Sequence, residues 1–235
     1  IGYGTEKNAR AVLGTVPAMT RHQELNVSGQ AVFLQPNSHV AEAFRSVRTA
    51  IFFGAPKEKA KTLLVTSPAA GDGKSTLVSN LAITMASAGQ RTVVVDADLR
   101  KPTQRLIFQT NHQDRSLAGV LEHKTRLREA IQPGPVERLS LLACSREFSN
   151  PAEVLNSPEF ALILKRLAAA YDRVLIDAPP VTVVADARIV STLCDFTILV
   201  LLADKTTKKM ARSAIGSLQS VGARMLGVVV NNVRA

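Results

Sequence analysis

Apolar residues fall into two rhythms along this chain. Val40, Phe44, Val47 and Ile51 recur at i, i+4, i+7 and i+11, a narrow stripe at helical period that predicts a helix. Beyond it, short β-branched or leucine-rich runs over 62–66, 92–95, 139–143, 173–176, 196–202 and 225–230 alternate with helical stretches. The strongest helices are predicted over 74–88, 158–170 and 206–221, with Gly89 and Gly222 as stops after the first and last. Strands that read as near-continuous apolar runs are buried on both faces, as a parallel sheet requires. The alternation therefore predicts an α/β fold: a doubly wound, mostly parallel sheet with helices on both faces.

The first 38 residues break that rhythm. They are mixed and polar, punctuated by Gly2, Gly4, Gly14, Pro17 and Pro36, and read as a linker or extension with short strands at 12–13 and 31–34. Pro56 and the charged stretch 57–61 close the first helix. The expected organisation is an N-terminal extension over 1–38 and one main domain over 39–235, its start at Ile1 reading as a cut from something longer.

Composition narrows the classes. A length of 235 residues suits one large domain or two small ones. The longest apolar run, 198–203, is far short of the about 18 residues of a membrane-spanning helix. Cys144 and Cys194 form no CxxC pair and sit in apolar stretches, which fits inert core thiols in a reducing compartment. His22, His39, His112 and His123 show no metal-ligand spacing. The charge, 29 − 19 = +10, attracts polyanions, with clusters at Arg100–Lys101, Arg126–Arg128 and 205–209. A solvated basic surface is the first reading and contact with an anionic membrane the second. Nucleic acid is not an expected partner: Trp is absent, aromatics are 4%, and no recognised binding motif accompanies the cations.

Candidate chemistry begins between the first strong strand and the first strong helix, in Ser67-Pro-Ala-Ala-Gly71-Asp-Gly73-Lys74-Ser75-Thr76. There, backbone N–H groups and the positive helix end wrap a phosphate, Lys74 neutralises β and γ phosphates, and Ser75 offers a hydroxyl to magnesium. The first glycine of GxxxxGK[ST] falls on Pro68, so the strict pattern fails by one residue; a glycine turn with an incidental lysine is the alternative. Two later strands end in acids. Asp96, Asp98 and Arg100 follow at i, i+2 and i+4, a spacing that would project all three from the carboxyl edge of the sheet. Asp177 ends the next, in Asp177-Ala-Pro-Pro180. Acids so placed hold magnesium directly or through water; the alternative for each alone is a helix or turn cap.

Together these motifs resemble the bacterial tyrosine kinases, the P-loop kinases that accompany capsule and exopolysaccharide synthesis. Glu42-Ala-Phe-Arg45-Ser-Val-Arg48 and Asn150-Pro-Ala-Glu-Val-Leu155 are similar to further family stretches. The segment 12–17 is similar to the piece joining these kinases to a membrane-anchored polysaccharide co-polymerase region. Partitioning and division-site ATPases carry a second lysine five residues before the main one, where this chain has Ala69.

The resemblance implies an ATP-dependent protein-tyrosine kinase that phosphorylates itself and other proteins, lying in the cytoplasm at the bacterial inner membrane. ATP and Mg2+ would be held by Ala70, Gly71, Asp72, Gly73, Lys74, Ser75, Thr76 and Arg100. Asp96 and Asp177 would join Ser75 around the metal, and Asp98 would deprotonate the tyrosine hydroxyl, a role exchangeable with that of Asp96. Asn231 would touch adenine or simply end its strand in a turn. Glu42, Arg45 and Arg48 would form a subunit contact building a ring, an octamer, rather than a solvated helix face. The family's tyrosine-rich C-terminal tail has no counterpart before Ala235, and of Tyr3 and Tyr171 the latter reads as a packing residue. The competing reading is an ATP-switched assembly protein with no tyrosine acceptor.

Overall fold

The structure, a computed structural model, describes residues 11–19, 24–54, 60–110 and 115–234. Expectations attached to Tyr3, His22, Pro56 and His112 lie outside them. The first half of the chain runs β1 (Val12–Pro17), α1 (Leu25–Gly29), α2 (Ala31–Leu34), α3 (His39–Gly54), β2 (Thr62–Thr66), α4 (Lys74–Ser87), β3 (Thr92–Asp96) and α5 (Gln104–Ile107). It continues through α6 (Leu117–Leu121), α7 (Leu127–Ala130), β4 (Gln132–Pro133), β5 (Leu139–Leu142), α8 (Pro151–Leu155) and α9 (Pro158–Ala170). The last elements are β6 (Arg173–Asp177), α10 (Asp186–Thr192), β7 (Phe196–Leu202), α11 (Lys208–Gln219) and β8 (Met225–Val233).

The strands form one sheet in the order β1-β8-β7-β2-β6-β3-β5-β4, parallel throughout except for β4, which pairs antiparallel with β5. All five residues of β2, β3 and β6 are buried. Their side chains alternate between two core layers, as extended chains must. Leu64, Val93, Val95, Val174 and Ile176 join one layer, with α9, α10 and α11. Leu63, Val65, Val94 and Leu175 join the other, with α3 and α4. That is the doubly wound arrangement the sequence predicts.

Helix ends follow local chemistry. Ser157 and Thr207 cap α9 and α11 through their side chains, and Pro158 opens α9 where its missing N–H costs nothing. Gly89 and Gly222 adopt positive φ just past α4 and α11, as the predicted stops. On α3 the buried face is Ala41, Phe44, Val47 and Ile51, with Val40 only half-buried. The stripe thus enters one residue later than its spacing suggests.

Two readings of the N-terminal segment need correction. The stretch 31–34 is not a strand but the helix α2. Among the described residues no strand lies beside it, and Asn80 of α4 accepts the Val32 N–H at 2.9 Å while donating to Ser28 O at 2.8 Å. The segment 12–17 is more than part of a linker: its six residues form the edge strand β1, parallel to β8. Among the described residues, none of the helices is long and apolar enough to cross a membrane.

Candidate active site

The sheet order puts β6 between β2 and β3, so the loops after these three strands meet at one carboxyl edge, where open α/β sheets bind ligands. The loop after β2 is braced by its own side chains. Asp72 Oδ2 accepts the Ala69 N–H at 2.8 Å, and the Ser67 hydroxyl donates to Ala69 O at 2.7 Å. Gly71 and Gly73 take φ of +83° and +92°, which other residues rarely adopt. A Cβ at Gly73 would also stand 2.0 Å from Asn231 Nδ2, which donates to Asp72 O at 3.0 Å. Pro68, in place of the usual first glycine, is held by the Thr182 hydroxyl bonding its carbonyl. The departure in sequence is absorbed by a tether from the loop after β6.

Lys74 opens α4 and turns back over the strand ends. Its Nζ lies 2.9 Å from Asp98 Oδ2, 3.8 Å from Asp177 Oδ1 and 3.4 Å from Ser75 Oγ. Burial alone would lower its pKa, but the carboxylates of Asp177, Asp98 and Asp96 outweigh burial and raise it. The lysine stays charged and three acids converge on it.

Those acids differ in depth. Asp96 and Asp177 are register partners on β3 and β6, side by side and fully buried. Asp96 is committed to the backbone: Oδ2 accepts N–H groups of Thr103 and Gln104 at 2.9 and 2.8 Å, and Oδ1 that of Asp98 at 3.3 Å. Burial, with Asp177 beside it, still raises its pKa well above the ordinary carboxylate value. Asp177 is raised as well, by burial, against the lowering pull of Lys74 and Gln104. Its Oδ2 accepts from Gln104 Nε2 at 2.8 Å, whereas Oδ1 accepts no hydrogen bond from the described residues. A buried carboxylate oxygen that accepts no such hydrogen bond and has only Lys74 Nζ at 3.8 Å for compensation suits a hard cation with oxygen ligands, so this residue set, with Ser75, fits magnesium.

Asp98 does not continue the strand alternation expected of it. β3 ends at Asp96, the chain turns, and Asp98 faces the cleft of about 470 Å3 that Gly71, Lys74, Ser75 and Thr76 also line. Arg100 lines the same cleft, yet its guanidinium is engaged elsewhere. Its Nε and Nη2 donate to Asp186 Oδ2 and Oδ1 at 2.8 and 3.0 Å, a fork that ties the loop after β3 to the start of α10. The expectation that Asp96, Asp98 and Arg100 share one face is corrected in part: Asp98 and Arg100 line one cleft, and Asp96 is buried apart from it.

Gln104, Asp186 and Thr182 escaped the sequence reading. Gln104 is 1% exposed, and its Nε2 reaches both Asp177 and, at 3.1 Å, Ser75 O, so it spaces the acid from the phosphate loop. Its place at the start of the single-turn helix α5 carries no motif. Of the proposed subunit helix, Glu42 and Arg45 pair at 2.9 Å on an exposed flank. Arg48 instead donates to Thr84 O of α4 at 3.1 Å and lies over Phe52. Burial pushes the Cys144 thiol up to about 12 and raises Cys194 further, as inert thiols require.

Fold and loop define a P-loop nucleotide-binding protein. A family model described as an AAA domain matches residues 60–212. Tyrosine-protein kinase YwqD of Bacillus subtilis (strain 168) is 35% identical over 197 residues, 84% of this chain and 83% of that one. The crystal structure of the chimerical protein CapA2B2 superposes with a TM-score of 0.87 at 32% identity, covering 96% of both chains. The septum site-determining protein MinD of Pyrococcus horikoshii OT3, solved with Mg-ADP, shares the fold alone, at 22% identity and TM-score 0.64 over 73% of this chain and 70% of its own. The chain belongs to that AAA-domain family and, within it, to the bacterial tyrosine-protein kinases.

Proposed function

We propose that this chain is the catalytic domain of an ATP-dependent protein-tyrosine kinase serving capsule or exopolysaccharide assembly. The observation that carries the reading is Lys74 held between Asp98 and Asp177 at the mouth of the phosphate loop. The loop N–H groups and the α4 N-terminus would bind the triphosphate, and Lys74 would follow its terminal phosphate. Ser75 and Asp177 would hold magnesium, with Asp96 fixing the turn beside them. Bound there, the ion supplies charge neutralisation across the phosphates. Asp98, in the cleft, takes the proton from the tyrosine hydroxyl. The phenolic oxygen then bonds to the γ phosphorus as the bond to the β–γ bridging oxygen breaks, and ADP leaves. Positioning and charge do most of the work, as phosphoryl transfer needs. Asn231, latched to the loop backbone, is the candidate on the adenine side.

Further parts of the reading rest on the family resemblance. The exposed Glu42–Arg45 flank would contribute to a ring of subunits, and the segment entering β1 would join a membrane-anchored co-polymerase region at the cytoplasmic face. The test is mass spectrometry of a tyrosine-bearing acceptor after incubation with ATP and magnesium. Phosphotyrosine from the wild type and none from Lys74→Met is expected. Phosphate release without phosphotyrosine would turn the reading to an ATP-driven assembly switch.

A further inference from the structure

The arginine cluster at 126–128 has no part in the site above, yet it is not dispersed over the surface. Lys124 and Arg126, from the turn between α6 and α7, and Arg128 of α7 line, together with Arg166 of α9, a groove of about 850 Å3. That is larger than the phosphate-loop cleft, and it lies beside the start of β6, whose other end carries Asp177. Five strand residues, about 17 Å, separate the two ends.

The groove has two chemistries. Its floor is apolar, formed by Leu127, Ile163 and Leu167, with the half-buried Tyr171 at one wall. Its rim is cationic and poorly compensated. Lys124 pairs with Glu122 at 2.9 Å and Arg128 with Glu129 at 3.8 Å, but among the described residues no carboxylate pairs with Arg126 or Arg166. A bare inorganic anion has no use for an apolar floor, and an apolar segment has no use for the rim. An aryl phosphate uses both: the ring lies on the floor and beside Tyr171, and the phosphate meets arginine forks.

We propose that this groove binds a phosphotyrosine-bearing polypeptide segment, the product of the kinase reaction, at a site separate from the one that makes it. The choice of phosphotyrosine rests on the kinase reading, while the groove and its charge do not. A phosphorylated chain held there stays with the enzyme without blocking the nucleotide cleft.

Fluorescence anisotropy tests this with a labelled peptide carrying one phosphotyrosine, its tyrosine version and its phosphoserine version. Excess ADP and magnesium fill the active site, and no ATP is present. The phosphotyrosine peptide should bind about tenfold tighter than the other two, and Arg126→Ala with Arg166→Ala should remove that margin. Both arginines are exposed, so the double variant should melt like the wild type, and ADP affinity should not change. Equal binding of the three peptides, or a margin that survives the double variant, overturns the proposal. Displacement by a nucleoside diphosphate sugar more readily than by phenyl phosphate also overturns it, because the groove would then serve a small metabolite. Tyrosine phosphorylation by the double variant, measured separately, stays at the wild-type rate. A failed binding test therefore leaves the kinase reading standing, and a failed phosphorylation test is seen without reference to the groove.

Discussion

The two ends of the central strands treat acidic side chains in opposite ways. At the amino end, Asp195 accepts the Lys61 N–H, the Thr62 N–H and the Thr62 hydroxyl at 2.8–3.0 Å, which ties the entry of β2 to that of β7. Its carboxylate is partly exposed, with Oδ2 taking all three bonds and Oδ1 lying 3.8 Å from Arg224 near solvent. At the carboxyl end, Asp177 is fully buried, beside another acid, with one oxygen lacking a hydrogen bond from the described residues. The first arrangement strengthens the fold, whereas in the second the burial of two adjacent acids is only partly offset by Lys74 Nζ at 3.8 Å. An acid that the protein leaves incompletely satisfied is one kept for chemistry.

Substitutions can separate the two ends. Lys74→Met should lower turnover by about 10³-fold with the fold retained, checked by phosphotyrosine yield and circular dichroism. Asp177→Asn should cut turnover by about 10²-fold yet raise the melting temperature of the nucleotide-free protein by a few degrees, since one buried charge is removed. A lower melting temperature would show that Asp177 is held for stability. Gln104→Leu, which frees Asp177 from Ser75, should cost about tenfold in kcat with little change in KM for ATP. Asp195→Ala should do the reverse of Asp177→Asn, losing about 1–2 kcal/mol in denaturant unfolding and leaving turnover alone.

The smallest effect is in pH. Asp96 and Asp177 have raised values in the folded protein, so the native state binds more protons than the unfolded one above the ordinary carboxylate range. Stability of the nucleotide-free protein should therefore fall as pH rises through that window. A cation at Asp177 opposes the loss, so the thermal shift given by magnesium and ADP should be larger at about pH 8 than at about pH 5. An equal shift at both would remove the buried acids as its cause.

The parts legible in the sequence are those whose form depends on near neighbours. β2, β3 and β6 read as buried strands because both their faces are apolar, and Lys74, Asp96 and Asp177 follow from their places at element ends. The single-turn helices α1, α2, α5, α6 and α7 were not legible. Four or five residues carry no full period, and contacts such as Asn80 with Val32 decide them. The difference in depth between Asp96 and Asp98 was hidden too, because a spacing of two implies one face only while the strand lasts. Gln104 and Asp186 matter through partners 73 and 86 residues away in sequence, distances at which pattern is silent.

The grip of Asn231 on Asp72 links the nucleotide loop to the far rim of the sheet. Asn231 lies near the end of β8, where it pairs with Leu202 of β7, so the register of that seam sets where the asparagine amide arrives. A slip of one residue there would swing the amide to the opposite face and leave the Asp72 carbonyl unheld. The pairing of β7 with β8 thereby acts as a ruler for the phosphate hook.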